Sequence, residues 1–283
     1  MSTTTAIDII PSGAALGAEV RGVDLAHLTD DEFAAISQAW AKHLVLLFRD
    51  QKISDDEHVA FSRRFGQLDQ AAPNQLGRPF IADQPHMSVI SNLIEDGTPL
   101  GQLGNAEAIW HTDMSYTEVP PMAAILRALE IPEDGGGDTW FANMYLAWDR
   151  MPADLKSRIQ GLTVLHDASR DSAGDQRKGQ PVVTDPRKAP GARHPIARVH
   201  PVTGRTALFL GRRRNAYLVG LAFAESEELL DRLWQHAGQK KFAWVHKWRV
   251  DDVIMWDNRC VIHRRDGFDA AQRRLMHRTQ IRG

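Results

Sequence analysis

Short apolar runs, separated by glycine, proline and polar residues, are the main pattern of the sequence after residue 43. Runs of this length are typical of β-strands, because a helix usually needs a longer segment with apolar residues at every third or fourth position. Many short strands with few helices predict a mainly β fold, a sandwich or jelly roll with flanking helices. No glycine-rich nucleotide-binding motif opens a helix, so a doubly wound fold is disfavoured. The predicted strands span residues 44–48, 88–90, 122–129, 207–210, 244–248, 253–256 and 274–281.

Two helices near the N-terminus are predicted by capping boxes, in which a Ser or Thr and a Glu three residues later satisfy each other's backbone N–H groups. Thr29 and Glu32 form the first box, and Ser54 and Glu57 form the second. Apolar residues then recur at helical spacing, so we expect both helices to pack outside a sheet. Further helices are predicted over residues 143–160, ending at Gly161, and over residues 225–236.

The composition is that of an ordinary globular protein and excludes several classes of partner. A formal net charge of −2 gives no reason to expect nucleic acid or an anionic membrane. Cys260 is the single cysteine, which excludes an internal disulfide and indicates a reducing compartment. The first residues lack the features of a signal peptide, and no apolar run is long enough to span a membrane. We therefore expect a cytoplasmic protein with one domain over residues 1–283.

A histidine and a carboxylate stand two positions apart, at His111 and Asp113. Residues i and i+2 of an extended chain point to the same side, so these side chains can present one nitrogen and one oxygen to a common point. Such a pair with one more histidine suits non-haem Fe(II) better than a closed structural zinc site. His263 can be the third ligand, because an apolar strand and the polar turn at 257–258 lead directly to it.

Two arginines, Arg274 and Arg278, lie on one face of the last predicted strand. They would stand about 13 Å apart along the strand, at roughly 3.3 Å per residue. Buried arginines are costly unless each meets an anion, and a dicarboxylate cosubstrate and an anionic substrate would satisfy both. His277 belongs to the opposite face and is expected to pack behind the site.

Together these features resemble the TauD/TfdA family of Fe(II)- and 2-oxoglutarate-dependent dioxygenases, and the likeness extends over nearly the whole chain. The resemblance implies a double-stranded β-helix, which is a cupin-like jelly-roll core. It also implies a homo-oligomer, either a dimer or a tetramer, that hydroxylates a small anionic organic substrate with 2-oxoglutarate and O2 as cosubstrates. The matching stretches are residues 110–113, 120–121, 136–139, 200–204, 255–259, 263 and 273–278.

The same resemblance assigns the candidate site residues to three roles. Three residues would bind Fe(II), three would bind or pack against 2-oxoglutarate, and two would contact the anionic group of the substrate. In that order they are His111, Asp113 and His263; Thr139, Arg274 and Trp256; and Arg278 with the backbone of Met114. An alternative from another class is a cupin-like metalloenzyme without oxygenase activity, which would need the metal ligands but neither Arg274 nor Thr139.

The segment after Gly66 bears on the substrate, because it lacks the histidine and tyrosine that taurine-specific members place beside the sulfonate. We therefore expect an apolar substrate with a carboxylate, such as an aryloxyalkanoate, whose hydroxylated product collapses with ether cleavage. Taurine, alkyl sulfonates and alkyl sulfates are the alternatives. Residues 67–108 and 167–195 are candidate lids, since both segments are long and rich in loop-forming residues.

The remaining polar and aromatic residues are interpreted as structural. Arg212, Arg213 and Arg214 could line an entrance for anions, but a basic run favours a solvated face. Trp244 and Trp248 are expected in the core or at an interface and not in contact with the substrate. Five histidines have no partner at metal-ligand spacing and are expected to be structural: His166, His194, His200, His236 and His246.

Overall fold

The computed structural model describes residues 7–74, 77–105 and 108–283. Residues 1–6, on which the absence of a signal peptide was predicted, lie outside the described residues, as do 75–76 and 106–107 of the first candidate lid. The described chain is mainly β, and its strands form two principal sheets with helices outside them. The predicted jelly-roll fold with flanking helices is confirmed.

The strands are short, in agreement with the short apolar runs of the sequence. The helices are α1 Asp30–His43, α2 Asp55–Arg63, α3 Met144–Asp149, α4 Ala153–Ile159 and α5 Phe223–Ala237. The strands are β1 Asp8–Pro11, β2 Ala18–Arg21, β3 Val45–Phe48, β4 Ser88–Ser91, β5 Ile94–Glu95, β6 Thr98–Pro99, β7 Gln102–Leu103, β8 Ala108–His111, β9 Ala123–Glu130, β10 Thr139–Asn143, β11 Thr163–Leu165, β12 Arg193–Pro195, β13 Ala197–Val199, β14 Thr206–Leu208, β15 Tyr217–Leu218, β16 Ala243–His246, β17 Val253–Asp257, β18 Val261–Arg265 and β19 Leu275–Ile281.

The two principal sheets bring distant parts of the sequence together. The larger sheet has the strand order β1-β2-β3-β17-β9-β19-β4-β7, and the smaller has the order β16-β10-β18-β8. In the larger sheet, β19 from the C-terminal end of the chain pairs with β9 and β4. In the smaller sheet, β18 lies between β10 and β8. The candidate site residues sit on or beside β8, β10, β17, β18 and β19, so this pairing collects them.

Burial on both faces of the larger sheet explains why its adjacent strands β3, β17 and β9 are apolar at nearly every position. In β17, Ile254 and Trp256 belong to a core that also contains Phe141 from the smaller sheet. The alternate residues Val253 and Met255 belong to a second core, which includes buried residues of α1 and α2. The period of two along a strand divides the side chains between these two cores.

Both predicted capping boxes are present. Thr29 Oγ1 accepts a hydrogen bond from the backbone N–H of Glu32 at 3.3 Å, and Glu32 Oε2 accepts one from the N–H of Thr29 at 2.7 Å. Ser54 and Glu57 form the same pair of bonds at the start of α2. The two helices pack on the outer face of the larger sheet, as the sequence predicts.

Substituting Thr29 should measure the contribution of the first capping box to stability. We expect Thr29→Ala to lower the free energy of unfolding by about 1 kcal/mol, because a free N–H group at the start of α1 loses its acceptor. Urea unfolding followed by circular dichroism measures this change. Thr29→Ser keeps the hydroxyl oxygen and is expected to remain within about 0.5 kcal/mol of the wild type. Equal losses in both variants would contradict the assignment of the stability to the cap.

The single helix predicted over residues 143–160 is wrong. Helix α3 ends at Asp149 and α4 begins at Ala153, with Pro152 between them. Proline has no N–H to donate, and its ring disfavours a helical conformation of the residue before it, so the helix cannot run through this position. The predicted start is correct, since the side chain of Asn143 accepts hydrogen bonds from two backbone N–H groups in the first turn of α3.

Helix α5 is the longest helix in the described part of the chain, with 15 residues, and it includes the predicted segment 225–236. Its residues Leu229, Leu230 and Leu233 are buried in the core that also contains Ile254 and Trp256. Among the described residues, no helix is both long and apolar enough to cross a membrane.

Candidate active site

The two histidines of the predicted metal site face each other across paired strands. His111 ends β8, His263 lies on β18, and the two are directly opposite in the antiparallel register. Their ring centroids are 4.1 Å apart. Asp113 Oδ1 lies 3.4 Å from Nε2 of His111 and 3.9 Å from Nε2 of His263. All three side chains are buried, and one ligand atom from each lies within 4.8 Å of the others.

The hydrogen bonds and burial of the histidines suit a divalent cation. Nδ1 of His111 lies 2.7 Å from the carbonyl oxygen of Ile109. Because a carbonyl oxygen only accepts, Nδ1 carries a proton, and Nε2 is the ring nitrogen that faces Asp113. Burial lowers the pKa of His263 well below its usual value, and His111 lowers it further, so this ring is neutral. Two imidazoles and a carboxylate form the ligand set typical of non-haem Fe(II).

The carboxyl group of Asp113 is ionised. Burial raises its pKa, but the guanidinium of Arg278 and the two histidines outweigh burial and hold the pKa well below its usual value. Nη1 of Arg278 lies 3.2 Å from Oδ2 and 3.4 Å from Oδ1 of Asp113. Nε2 of Gln280 donates a further hydrogen bond to Oδ2 at 3.3 Å. Asp113 therefore offers a charged ligand throughout the neutral pH range.

The backbone of Asp113 is clamped by Asn258, which lies in the turn after β17. The N–H of Asp113 donates to Oδ1 of Asn258, and Nδ2 of Asn258 donates to the carbonyl oxygen of Asp113, both at 2.9 Å. The next residue, Met114, has a φ of 45°, a conformation that side chains disfavour. The clamp holds the chain in this sharp turn. Residues 257–258 were predicted as a polar turn within the matching stretch 255–259, without this role for Asn258, although a polar turn between two apolar runs was a signal for it.

A small cavity of about 50 Å³ adjoins the two histidines, and its most distinctive feature is Arg274. This side chain is 2% exposed, and its Nε has no hydrogen-bond partner among the described residues. Burial lowers the pKa of Arg274 to about 9, with Arg265 as the second cause, so the group remains charged at neutral pH. A buried guanidinium beside a cavity is suited to receive a carboxylate. The polar and aromatic residues of the lining are His111, Thr139, Ser172, Trp256, His263, Arg265, Arg274 and Arg278.

Thr139 contributes to the small cavity a hydroxyl group that Trp248 orients. The indole Nε1–H of Trp248, which can only donate, lies 3.0 Å from Oγ1 of Thr139. The hydroxyl hydrogen of Thr139 is therefore available to an acceptor in the cavity. Trp248 is buried as predicted, but this bond gives it a positioning role that its place in the sequence did not indicate.

A larger cavity of about 630 Å³ borders Asp113. Arg278 lines both cavities, and Asp113 and Met114 line the larger one. Both candidate lids contribute to its wall, the first through residues 70–73 and the second through residues between 168 and 180. An anionic ligand in this cavity would lie beside the candidate metal site and within reach of Arg278.

Comparison with known proteins identifies the family of this chain. The model of the family described as "Taurine catabolism dioxygenase TauD, TfdA family" matches residues 8–280. The chain belongs to the TauD/TfdA family. The predicted family is confirmed, and with it the prediction of a 2-oxoglutarate-dependent dioxygenase, which is an oxidoreductase.

Individual members of the TauD/TfdA family are similar over almost their full length. An (S)-phenoxypropionate/alpha-ketoglutarate-dioxygenase from Sphingobium herbicidovorans is 34% identical, over 98% of this chain and 96% of that protein. An alpha-ketoglutarate-dependent 2,4-dichlorophenoxyacetate dioxygenase from Cupriavidus pinatubonensis is 35% identical, over 93% of each chain. The crystal structure of AAD-2 in complex with Mn(II) and N-oxalylglycine superposes with a TM-score of 0.81 at 30% identity, covering 98% of this chain and 97% of that one.

Arg265 is a residue of this TauD/TfdA site that the sequence analysis missed. It lies on β18, two residues after His263, and therefore on the same face of the strand. Its side chain lines the small cavity beside Arg274 and donates from Nη1 to the carbonyl oxygen of Gly104 at 3.1 Å. Burial lowers its pKa to about 10. The i, i+2 spacing from His263 was the signal that could have found it.

The prediction of a solvated basic run at residues 212–214 is wrong for Arg212. Arg213 forms ion pairs with Glu227 and Asp231, and Arg214 is exposed, as expected for a surface. Arg212 instead is buried and lines the larger cavity. The physical reason is a β-bridge between Arg212 and His111, which draws this residue into the site.

The other histidines lie outside the candidate metal site, and one of them belongs to a second group of possible metal ligands. His200, Asp257 and Cys260 also place ligand atoms within 4.8 Å of one another. Their hydrogen bonds fit a structural role, because Asp257 Oδ2 already accepts from His200 Nε2 at 3.0 Å and from Arg259 Nη2 at 2.6 Å. Burial raises the pKa of the Cys260 thiol well above its usual value, which makes it a poor ligand.

Proposed function

We propose that this protein is an Fe(II)- and 2-oxoglutarate-dependent dioxygenase that hydroxylates a small anionic aryloxyalkanoate. The observation that carries the proposal is the juxtaposition of the His111, Asp113 and His263 ligand atoms with a cavity that contains the buried guanidinium of Arg274. A metal ligand set alone would suit many enzymes, whereas the adjacent carboxylate receptor fits a dicarboxylate that is bound next to the metal.

The metal would be held by the Nε2 atoms of His111 and His263 and by the carboxylate of Asp113. The bond of His111 to Ile109 fixes the tautomer that ligation requires, and Asn258 fixes the position of Asp113. These three side chains would hold the ion from one side and leave room beside it for a cosubstrate. Bound Fe(II) supplies the redox chemistry by which 2-oxoglutarate and O2 are converted to CO2 and succinate while a substrate C–H bond is hydroxylated.

The distal carboxylate of 2-oxoglutarate would pair with Arg274 and accept the hydroxyl hydrogen of Thr139. Trp256 would pack against the cosubstrate, since its ring centroid is 4.8 Å from that of His263 and it lines the same cavity. These contacts would orient the other end of the molecule toward the metal ligands, and orientation of this kind is the main contribution a protein can make to such a reaction.

The substrate would occupy the larger cavity, with its carboxylate at Arg278 and beside the backbone of Met114. Arg278 borders both cavities, so an anion bound there would hold the neighbouring carbon close to the metal. The loop segments at 70–73 and 168–180 would exclude water. Hydroxylation of the carbon that bears the ether oxygen gives a product that collapses, with release of a phenol.

Two observations favour an aryloxyalkanoate over taurine. The relatives from Sphingobium herbicidovorans and Cupriavidus pinatubonensis are named for phenoxypropionate and 2,4-dichlorophenoxyacetate. The segment that lines the cavity in this chain contains Gln70, Ala71, Ala72 and Pro73, which offer neither an imidazole nor an aromatic ring to a sulfonate. We also propose that residues 1–283 form one catalytic domain of a cytoplasmic homo-oligomer, on the strength of the family resemblance.

The test of this function has two stages. Under anaerobic conditions, Fe(II) and 2-oxoglutarate together should produce the weak visible charge-transfer band of a chelated complex. In air, release of succinate should be stimulated by 2,4-dichlorophenoxyacetate or by one enantiomer of 2-phenoxypropionate, and much less by taurine. Absence of the band would favour a non-oxygenase metalloenzyme. Stimulation by taurine alone would leave the dioxygenase in place but overturn the substrate class.

A further inference from the structure

Arg212 is a buried cation that forms no ion pair with a carboxylate among the described residues. Its side chain lines the larger cavity with 8% exposure. Within the described residues, Nε and Nη1 have no hydrogen-bond partner, and no carboxylate lies within ion-pair distance of the guanidinium. Its nearest aromatic contact is Tyr116, whose ring centroid is 5.7 Å from Cζ. Burial lowers the pKa of Arg212, and the neighbouring cation Arg177 is the second cause.

Two other arginines that are partly or fully buried meet carboxylates. Arg127 pairs with Asp251 at 3.6 Å, and Arg259 pairs with Asp257 at 2.6 Å. Among the described residues, Arg274 is likewise buried and forms no ion pair with a carboxylate. Arg274 is the proposed receptor for a carboxylate of 2-oxoglutarate. A buried charge without a partner is strongly unfavourable, so an unpaired buried arginine indicates a binding site for an anionic ligand.

The backbone around Arg212 is hydrogen-bonded to the metal-site segment. Gly211 accepts a hydrogen bond from the N–H of Thr112 at 2.9 Å, and Arg212 forms a β-bridge with His111. Gly211 has a φ of 69°, and a Cβ atom there would lie 1.8 Å from Nδ1 of His166, so only glycine fits. Arg212 is thus held in place before any substrate binds, as a binding residue should be.

The charges that line the larger cavity exceed what one carboxylate can neutralise. Four basic residues line it against two acidic ones, and the acidic Asp113 is a proposed metal ligand. Arg278 already contacts Asp113, whereas Arg212 does not. A substrate with a single carboxylate at Arg278 would leave Arg212 buried and unpaired. The basic residues are Arg177, Lys178, Arg212 and Arg278, and the acidic ones are Asp113 and Asp171.

We propose that Arg212 binds a second acidic group of the substrate, so that the preferred substrates of this enzyme carry two acidic groups, one at Arg278 and one at Arg212. The inference rests on the proposed function, because it concerns the same substrate cavity, and it narrows the substrate class from monocarboxylates to dianions. An aryloxyalkanoate with a carboxylate on its ring has this chemistry.

Calorimetric titration of the protein loaded with Mn(II) and N-oxalylglycine, an unreactive analogue of 2-oxoglutarate, tests the proposal without turnover. The probes are phenoxyacetate and its three ring-carboxylated isomers. The wild type is expected to bind one carboxylated isomer at least about tenfold more tightly than phenoxyacetate. In Arg212→Met this preference should disappear, because the affinity for the carboxylated isomer should fall at least about tenfold more than the affinity for phenoxyacetate.

The matched control is Arg213→Met, which removes the adjacent arginine from its surface ion pairs and should keep the preference for the carboxylated isomer. Arg212→Gln serves as a second variant, and unchanged N-oxalylglycine affinity establishes that each variant is folded. The proposal is overturned if Arg212→Met weakens phenoxyacetate and the carboxylated isomers equally, or if the wild type has no preference. Failure of N-oxalylglycine to bind the Mn(II) protein would instead refute the proposed function.

Discussion

Replacing His111 with alanine is expected to weaken the binding of Mn(II) or Fe(II) by more than about a hundredfold, since even the loss of a residue that only supports a ligand costs about tenfold to a hundredfold. His111 provides one of three proposed ligand atoms, and its bond to Ile109 holds Nε2 toward Asp113. The affinity can be measured by calorimetry with Mn(II). A second measurement is the melting temperature, which Mn(II) should raise in the wild type but not in His111→Ala, because only the folded wild type binds the ion.

His236→Ala is a matched control for this experiment. Nε2 of His236 lies 2.7 Å from the carbonyl oxygen of Ala147, the same kind of bond at the same distance as that between His111 and Ile109. Both histidines are buried, so both variants should lose comparable stability, about 1–3 kcal/mol for the unsatisfied carbonyl. Only His111→Ala should lose the metal. Equal Mn(II) affinities in the two variants would remove His111 from the metal site.

The proximity of His111 and Asp113 could be predicted from the sequence because it depends on local information. His111 and Asp113 are two positions apart, and the period of a strand is sufficient to place both on one side. The alternation along the last strand is equally local. Arg278 lines the cavities, whereas His277 faces α2, where its Nδ1 lies 2.7 Å from Oδ1 of Asp55. Patterns of this kind depend only on the alternation of side chains along one strand, so they hold regardless of how the rest of the chain folds.

The features that the sequence did not reveal depend on contacts between distant residues. Asn258 clamps a residue 145 positions earlier, and Trp248 orients a residue 109 positions earlier. Arg212 was expected at the surface because a basic run usually is, and only its bridge to His111 places it in the site. Pairing between residues so distant in sequence has no periodic signature in a single sequence. Asn258, Trp248 and Arg212 could therefore be assigned to the site only from the three-dimensional structure.

A substitution of Arg274 is expected to have a large effect on the affinity for 2-oxoglutarate. We expect Arg274→Met to weaken the binding of 2-oxoglutarate by about 2–5 kcal/mol, the usual cost of removing one partner of a buried charge pair, which is about thirtyfold to several thousandfold in affinity. The metal ligands do not contact Arg274 through any hydrogen bond or ion pair in the described residues, so Mn(II) affinity should stay within about threefold of the wild type. Titration of the Mn(II) protein with 2-oxoglutarate measures the first quantity, and titration of the metal-free protein with Mn(II) measures the second.

Stability distinguishes a ligand receptor from a structural arginine. Without 2-oxoglutarate, the buried charge of Arg274 is unfavourable, as its lowered pKa of about 9 indicates, so Arg274→Met should be at least as stable as the wild type. Arg127→Met is the control, because Arg127 is also buried but pairs with Asp251. It should lose about 1 kcal/mol or more and keep its affinity for 2-oxoglutarate. If Arg274→Met is destabilised like Arg127→Met and still binds 2-oxoglutarate normally, Arg274 is part of the scaffold and the cosubstrate pocket lies elsewhere.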